Sequence, residues 1–345
     1  MRLDENRNEH QRKCENGLRK NAAWSSETID SIDNRKKSRK SRGDYMTEIR
    51  HRTGFAALAG RPNVGKSTLM NGMIGEKIAI MSDRPQTTRN KIMGIYSAED
   101  AQIMFLDTPG IHKPLHKLGE YMNQTAVGAL NHVDVILFVV DATEKKGAGE
   151  LFIMEQLKKV KTPVLLVINK IDRLEDKRRL LSIMKSYTET MRFEAVIPVS
   201  ALKQEGFDEL REEIIRFLPE GPSLFPEDEL TDQPMRVIAA EMIREKVLRN
   251  TRDEVPHAIA VEIDEFKERT NGNIFIRAVI YVERESQKGI VIGSGGSLLK
   301  KIGQEARQDI ENLTGGGVFL DLWVKVRADW RNKEKLLKEF GYKEE

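Results

Sequence analysis

Apolar runs alternate with helical patterns from Thr53 to Leu218. The runs predict strands near Gly54–Ala59, Lys91–Ser97, Gln102–Leu106, Val133–Val140, Val164–Ile168 and Ala195–Val199. Val135–Val140 is apolar throughout, which is typical of a strand that is buried on both faces of its sheet. The pattern therefore predicts an α/β domain with a doubly wound, mostly parallel sheet. The second and third strands are close enough along the chain to form an antiparallel hairpin.

A different order of elements follows a segment that is rich in proline and glycine. Five such residues lie between positions 219 and 234, and this density predicts a stiff linker. Beyond it the pattern predicts, in order, a helix (Arg236–Asn250), two strands (His257–Phe266 and Asn273–Glu283), a glycine-rich turn, helical structure through Leu313, a strand (Val318–Val326) and a charged helical tail. We predict an extension over residues 1–50, a first domain over 51–220, a linker over 221–234 and a smaller α+β domain over 235–345.

Composition narrows the class of protein. The chain has 345 residues, of which 39% are hydrophobic and 32% charged, and this suits two domains with cores of their own. No apolar run approaches the length of a membrane span, and the polar N-terminus does not resemble a secretory signal. The single cysteine, Cys14, fits a reducing cytoplasm. Because the net charge is only +3, a nucleic-acid site would have to be a local patch.

The N-terminal extension is polar and basic. Residues 1–45 contain 12 Lys/Arg and 8 Asp/Glu, a net charge of +4, with few apolar residues, so we predict disorder there. The basic run Arg35–Arg42 could contact RNA or an anionic lipid. A solvated tail, together with translation that begins at Met46, is the interpretation we favour.

Gly60–Ser67 fits the phosphate-binding P-loop pattern G-x-x-x-x-G-K-[ST]. Glycines let the backbone approach a polyphosphate closely, and successive N–H groups then cradle it. Lys66 is predicted to reach the β- and γ-phosphates, and the Ser67 hydroxyl to bind Mg²⁺. The positive end of the helix that follows would face the phosphates. The predicted phosphate contacts are Gly60, Asn63, Val64, Gly65, Lys66, Ser67 and Thr68. A glycine-rich turn with an incidental Lys-Ser is the alternative, and the strand before the loop and the helix after it argue against it.

Two further segments suit the magnesium end of such a site. Asp107–Gly110 follows an apolar strand, where Asp107 could hold Mg²⁺ through water and the Gly110 N–H could sense the γ-phosphate. In the polar loop Gln86–Arg89, a threonine hydroxyl could join the metal once the γ-phosphate orders the loop, and we predict Thr88 rather than Thr87 for this role. The alternatives are an Asp-Pro-Gly surface turn and a polar loop with incidental hydroxyls. Lys66, Thr88 and Gly110 are the predicted catalytic groups, and Ser67, Thr88 and Asp107 the predicted metal ligands.

Two more strand ends suit guanine. The Asp172 carboxylate could accept from the two N–H groups on one edge of guanine, which adenine does not present. Asn169 could brace the loop and the base, while the stem of Lys170 covers the ring. Small residues in Ser200-Ala201-Leu202 would let a backbone N–H approach the guanine carbonyl. A polar helix cap is the alternative for residues 169–172, and the Ser200 segment carries weight only beside the others.

The combined motifs resemble the translation-factor-related GTPases. With Pro85–Arg89 and the second domain, the chain from Met46 to its end closely resembles the Era family of bacterial ribosome-assembly GTPases. The resemblance implies a P-loop GTPase that uses GTP, GDP and Mg²⁺. The pair Pro62-Asn63 resembles relatives in which this asparagine helps to bind K⁺, so the resemblance also implies stimulation by K⁺.

The second domain is similar in element order to a type II KH domain. Its candidate RNA-binding loop is Gly293–Gly296, a G-x-x-G sequence whose glycines would let phosphates approach main-chain N–H groups. The predicted RNA-binding residues are Lys288, Gly293, Ser294, Gly295, Gly296, Lys300 and Lys301, with Arg307 nearby. The family usually has a basic residue inside this loop, where this chain has Ser294, so one phosphate contact is missing. Ile290, Val291 and Ile292 are predicted to be core residues whose edge could meet bases.

The resemblance implies a function. We expect a GTP-hydrolysing protein that binds the 3′ end of 16S ribosomal RNA and assists 16S rRNA processing and 30S subunit biogenesis. It also implies a monomer in the cytoplasm, loosely associated with the inner surface of the membrane. The alternatives are a signalling GTPase whose second domain binds protein and a GTPase of transfer-RNA modification. Intrinsic hydrolysis should be slow, because Ile111 and Val64 are apolar and cannot orient the attacking water.

Overall fold

The structure is a computed structural model that describes residues 51–82, 87–111, 114, 116–176, 178–269 and 272–342. The predicted extension over residues 1–50, with its basic run Arg35–Arg42, lies outside the described residues, as do Pro85 and Gln86. Within the described residues, no helix is both long enough and apolar enough to cross a membrane.

The first part of the described chain is a sheet covered by helices on both faces. Its strands are β1 (Arg52–Ala59), β2 (Ile92–Ser97), β3 (Ala101–Asp107), β4 (Val135–Asp141), β5 (Val164–Asn169) and β6 (Ala195–Pro198). Its helices are α1 (Lys66–Ile74), α2 (Lys117–Ala129), α3 (Ala148–Leu157), α4 (Arg179–Thr188) and α5 (Phe207–Phe217). The strand order is β2-β3-β1-β4-β5-β6, and every neighbouring pair is parallel except β2 and β3.

The apolar runs owe their length to burial on both sides of this sheet. Along β4, Val135, Leu137 and Val139 enter the core cluster that contains residues of α1 and α5. Ile136, Phe138 and Val140 enter the cluster on the opposite face. The predicted doubly wound α/β fold and the β2–β3 hairpin are therefore confirmed.

The second part contains a three-stranded sheet with helices. In chain order it comprises α6 (Met235–Asn250), β7 (Ala260–Glu268), β8 (Ile274–Val282), α7 (Glu285–Ile292), α8 (Ser297–Thr314), β9 (Val318–Val326) and α9 (Glu334–Glu339). β8 pairs antiparallel with β7 and parallel with β9. Apolar residues of α6, α7 and α8 pack with residues of all three strands in one core. Through β9, the order helix–strand–strand–helix–helix–strand is the one that the sequence predicted for a KH domain.

Two details differ from the predicted elements. The strand predicted from His257 begins at Ala260, because a 3₁₀ turn (Val255–Ala258) that contains Pro256 precedes it. The tail is more than a charged helix: Trp330, Leu337 and Tyr342 are buried in a cluster with residues of β7, β8 and α2. Single apolar residues in a charged segment give no periodic signal, so the sequence did not reveal this cluster.

Candidate functional site

The P-loop lies between the end of β1 and the start of α1. Gly65 has a φ of 96°, and a Cβ atom on it would lie 2.3 Å from Nδ2 of Asn169, so only glycine fits there. Lys66 is 7% exposed, and its ammonium group donates to the carbonyl oxygens of Gly60 (3.3 Å) and Arg61 (3.0 Å). Burial lowers the pKa of Lys66 to about 8, although Asp107 opposes the shift. An anion in the loop would restore the charge of this lysine.

Three oxygen groups predicted to bind Mg²⁺ meet beside Lys66. Oδ2 of Asp107 accepts from the hydroxyls of Ser67 (2.5 Å) and Thr88 (3.0 Å), and the two hydroxyl oxygens lie 3.1 Å apart. Asp107 is fully buried, and its other oxygen, Oδ1, has no hydrogen-bond partner among the described residues. Burial raises the pKa of Asp107, with Lys66 and the two hydroxyls opposing the shift. Two hydroxyls and an under-satisfied carboxylate suit a hard divalent cation.

Asn169 joins three loops at the other end of the site. Its Nδ2 donates to the carbonyl of Val64 in the P-loop (2.8 Å). Its Oδ1 accepts from the backbone N–H groups of Lys170 (2.7 Å) and Ala201 (2.9 Å). The side chain is 2% exposed, so it braces these loops from beneath.

Lys170 and Asp172 complete that end. The ammonium group of Lys170 lies 2.6 Å from Oδ2 of Asp141 and donates to the carbonyl of Asn63 (2.7 Å). Burial would raise the pKa of Asp141, but hydrogen bonds from Lys170 and Thr143 outweigh it and hold that pKa below its usual value. Oδ1 of Asp172 accepts from the Ser200 hydroxyl (2.6 Å), which fixes the carboxylate against the last of the predicted loops.

Most of the predicted nucleotide residues line one cavity of about 350 Å³. Gly60, Val64, Asp107 and Ser200 are not in its lining, and all four are buried. Gly110 does line it, close against the P-loop: a Cβ atom there would lie 2.6 Å from the nitrogen of Pro62. Sequence reasoning missed Ile80, Met81, Ser82, Arg173 and Arg249, which also line the cavity. Arg249 belongs to α6, far along the chain, and no motif marks it.

Ile111 does not face the cavity. Its side chain is 1% exposed and packs in the core on one face of the sheet, while its N–H donates to the carbonyl of Gly60 (3.2 Å). The position that follows Gly110 therefore contributes a backbone contact to the P-loop and no side chain to the cavity.

The predicted RNA loop lies between α7 and α8. Gly293, Gly295 and Gly296 have positive φ values of 75°, 57° and 80°, and a Cβ atom on Gly295 or Gly296 would meet nothing within 4 Å. Ser294, Lys300 and Lys301 are exposed. Nζ of Lys288 lies 3.9 Å from Oε2 of Glu285, and Nζ of Lys301 lies 3.7 Å from Oε1 of Glu305. None of these loop residues or lysines lines the nucleotide cavity.

The apolar residues before this loop divide between core and surface. Val291 is fully buried in the second-domain core, and Ile292 packs against it. Ile290 is 46% exposed, so the prediction that it is a core residue was wrong. In an α-helix, consecutive side chains point in directions about 100° apart, and α7 turns Ile290 away from the sheet.

Comparison with known proteins decides the family. A family described as a 50S ribosome-binding GTPase matches residues 55–170, and the KH domain family matches residues 254–331. The GTPase Era of Alkaliphilus metalliredigens is 57% identical over 293 residues, which are 85% of this chain and 99% of that protein. This chain belongs to the Era family of GTPases. The predicted family resemblance is therefore confirmed.

Other members of the family agree. The GTPase Era of Clostridioides difficile is 54% identical over 292 residues, covering 84% of this chain and 98% of that protein. A crystal structure of Era in complex with MgGDPNP and nucleotides 1506–1542 of 16S ribosomal RNA superposes with a TM-score of 0.82 at 42% identity, over 85% of this chain and 99% of that one. Aquifex aeolicus Era bound to GDP·AlF₄⁻, a point variant, gives a TM-score of 0.81 at 43% identity, over 84% and 99%.

Proposed function

We propose that GTP lies along the cavity with its phosphates at the P-loop and its base at Asp172. The phosphates would meet Lys66 and the backbone from Gly60 to Thr68, with Gly110 at the γ-phosphate. Mg²⁺ would be held by Ser67, Thr88 and Asp107. The under-satisfied Oδ1 of the buried Asp107 and the two hydroxyls beside it support this assignment. Guanine would lie over Lys170, with Asp172 at its N–H edge and Ala201 and Leu202 at its carbonyl.

The chemistry asked of these residues is mainly charge stabilisation. In phosphoryl transfer, negative charge spreads over the transferred group, and a metal ion and a lysine neutralise it. An anion replaces the solvation that burial removed and raises the pKa of Lys66, so the charge of the lysine and the phosphates stabilise one another. Thr88 binds the metal only when the γ-phosphate is present, which distinguishes GTP from GDP.

We further propose that the second domain binds the 3′ end of 16S rRNA through Gly293–Gly296 and the lysines around it, and that the protein assists 16S rRNA processing and 30S biogenesis. The observation that carries this proposal is the superposition, over both domains, with an Era that is bound to nucleotides 1506–1542 of 16S rRNA. A KH match at residues 254–331 also leaves the two alternative functions, which need other modules there, without support.

The test compares two substitutions of one glycine. Gly295→Asp places a carboxylate where phosphates would pass, whereas Gly295→Asn has nearly the same size and no charge. Asn and Asp both tolerate a positive φ, and the site is open, so both variants should fold. With a fragment equivalent to nucleotides 1506–1542, Gly295→Asp should lose at least about 10-fold more affinity than Gly295→Asn, since a like-charge contact costs several kcal/mol. Equal RNA affinities would remove the RNA-binding assignment of the loop.

Four further properties are proposed here: K⁺ binding, the monomeric state, membrane association and the domain limits. Each has its own test. We propose that K⁺ binds near Asn63, that the protein is a monomer in the cytoplasm, and that it associates peripherally with the inner membrane surface. We also propose that the first domain spans residues 51–220 and the second 235–345, with a linker over 221–234. Hydrolysis in Na⁺ or K⁺, light scattering, flotation with anionic vesicles and limited proteolysis would test these in turn.

A further inference from the structure

Both neighbours of Thr88 are held by the second domain. On one side, Nη2 of Arg244 in α6 donates to the carbonyl oxygen of Thr87. On the other side, the guanidinium group of Arg89 enters the second domain and donates to the carbonyl oxygens of Ile259 and His257. Thr88 itself contacts Ser67 and Asp107 in the first domain. The candidate magnesium ligand therefore lies between two residues that are anchored to the second domain, Thr87 by Arg244 and Arg89 by its own guanidinium group.

The environment of Arg89 is specific for a guanidinium group. The side chain is 1% exposed, and its Cζ atom lies 5.5 Å from the ring centre of Trp330 and 5.7 Å from that of Tyr342. Nη1 also donates to the hydroxyl of Tyr342 (3.3 Å). Among the described residues, no carboxylate forms an ion pair with it and its Nε has no hydrogen-bond partner, so carbonyl oxygens and aromatic faces replace only part of its solvation. Burying a cation costs free energy because it loses its hydration. The carbonyl oxygens and rings of this pocket offset that loss only when a planar guanidinium group donates to them.

Arg244 is also buried and oriented by specific contacts. It is 1% exposed and pairs with Glu241, one turn earlier in α6. This ion pair within the helix orients its guanidinium group towards the first domain. Across the interface, Nη2 of Arg244 donates to the carbonyl oxygen of Thr87. This arginine therefore ties the peptide immediately before Thr88 to a helix of the second domain.

We propose that Arg89 and Arg244 are positioning residues for Thr88, through which the second domain sets the magnesium and γ-phosphate end of the GTPase site. The proposal rests on the proposed role of Thr88 as a metal ligand. Adjacent Cα atoms are about 3.8 Å apart, so a shift of Arg89 moves Thr88 with it. Mg²⁺ requires near-ideal octahedral geometry at about 2.0–2.1 Å, so a small shift removes the ligand.

The signature of this arrangement is a difference between GTP and GDP. Thr88 would ligate the metal only beside the γ-phosphate, so disturbing its anchors should leave GDP binding unchanged. In the full chain, Arg89→Gln should weaken a non-hydrolysable GTP analogue about 10-fold, the cost of one charge-assisted contact. The Mg²⁺ concentration needed for half-maximal single-turnover hydrolysis should rise, and the GDP affinity should stay within about 2-fold. Arg244→Gln should change the same quantities in the same direction, by less.

Matched variants separate positioning from general damage. Arg211 also stacks on an aromatic ring, with Cζ 4.7 Å from the ring centre of Tyr96, but it lies in α5 within the first domain. Arg211→Gln should therefore change neither the analogue affinity nor the Mg²⁺ dependence. Arg89→Lys keeps the charge without the fork and should recover part of the loss. If Arg89→Gln fails to fold, Tyr342→Phe, which removes only the accepting hydroxyl, should give a smaller shift of the same kind.

Two outcomes would overturn the proposal: an equal loss of GDP and analogue affinity, or an unchanged Mg²⁺ dependence in folded Arg89→Gln. These measurements contain no RNA. If the wild-type chain failed to bind the 16S rRNA fragment, the RNA part of the proposed function would fail while this test remained valid. If Thr88→Ala bound the analogue and Mg²⁺ as the wild type does, the assignment of the metal ligand would fail first.

Discussion

The two ends of the nucleotide cavity are built differently. At the guanine end, the polar groups are fixed by one another: Asn169 ties the P-loop to Ala201, and Ser200 holds Asp172, all within the first domain. At the magnesium end, Thr88 is flanked by Thr87 and Arg89, both of which contact the second domain. In the proposed site, base recognition would thus be a property of one domain, whereas the contact that would distinguish GTP from GDP depends on two.

Ion pairs and buried apolar residues also join the two domains. Nζ of Lys77, just beyond α1, lies 2.6 Å from Oε2 of Glu245 and 2.6 Å from Oδ2 of Asp309, both in the second domain. Leu118 and Met122 of α2 are buried with Trp330, Leu337 and Tyr342 of the tail. We therefore expect a change in the second domain to reach the loop at Thr88 through these packed groups.

The largest expected effect lies at the guanine end. Asp172→Asn replaces a carboxylate that accepts two hydrogen bonds with a group that both donates and accepts. Losing two charge-assisted hydrogen bonds should weaken GTP by about 10²- to 10⁴-fold. Xanthosine triphosphate, whose base presents the complementary group, should bind better than GTP. Equilibrium binding measurements with both nucleotides test this change in base preference.

The same variant also tests the comparison between the two ends. For the nucleotide that still binds, the Mg²⁺ dependence should match that of the wild type, because Thr88 and its anchors are untouched. GTP binding equal to the wild type would mean that Asp172 does not read the base.

The next effect concerns hydrolysis at the magnesium end. Ile111, the residue that follows Gly110, is buried in the core and cannot orient the attacking water. Single-turnover hydrolysis in Na⁺ should therefore be slow, and K⁺ beside Asn63 should raise it by up to about 10²-fold, as one added electrostatic contact to the transition state does. Asn63→Ala should remove the difference between Na⁺ and K⁺. Fast turnover in Na⁺ that survives Ile111→Ala would show that another group positions the water.

A smaller effect is expected from pH. Without an anion, the pKa of Lys66 is about 8, because burial disfavours its charged form. Phosphate binding needs that charge, so each unit of pH above 8 should weaken nucleotide binding by about 10-fold at most, and binding should take up a proton. Calorimetry in two buffers of different ionisation enthalpy measures this uptake. Lys66→Met, in which only the base titrates, is the control, and a wild-type profile as flat as that of the variant would contradict the shift.

The sequence predicted the polar groups that meet at both ends of the cavity better than the contacts that position Thr88, for a physical reason. Asn169, Asp172 and Ser200 lie at or just after the ends of the neighbouring strands β5 and β6, and parallel strands bring their carboxyl ends together, so short motifs were enough. Arg249, Arg244 and the pocket of Arg89 lie across an interface between domains, where contacts depend on packing rather than on local pattern. The exposed Ile290 and the buried Tyr342 were missed likewise, because each is a single residue whose environment is set by distant elements.

The smallest effect should come from the N-terminal extension. A chain that begins at Met46 keeps every residue that lines the cavity, both anchors of Thr88 and the loop Gly293–Gly296. A basic extension that makes no defined contact adds only screened attraction to an anionic partner, so GTP affinity should be unchanged and RNA affinity should fall by no more than about 2-fold at 0.15 M salt. Fluorescence anisotropy with the 16S rRNA fragment at low and moderate salt measures this. A loss that persists at moderate salt would mean that the run Arg35–Arg42 makes defined contacts with RNA, and the second domain would then share RNA recognition with the extension.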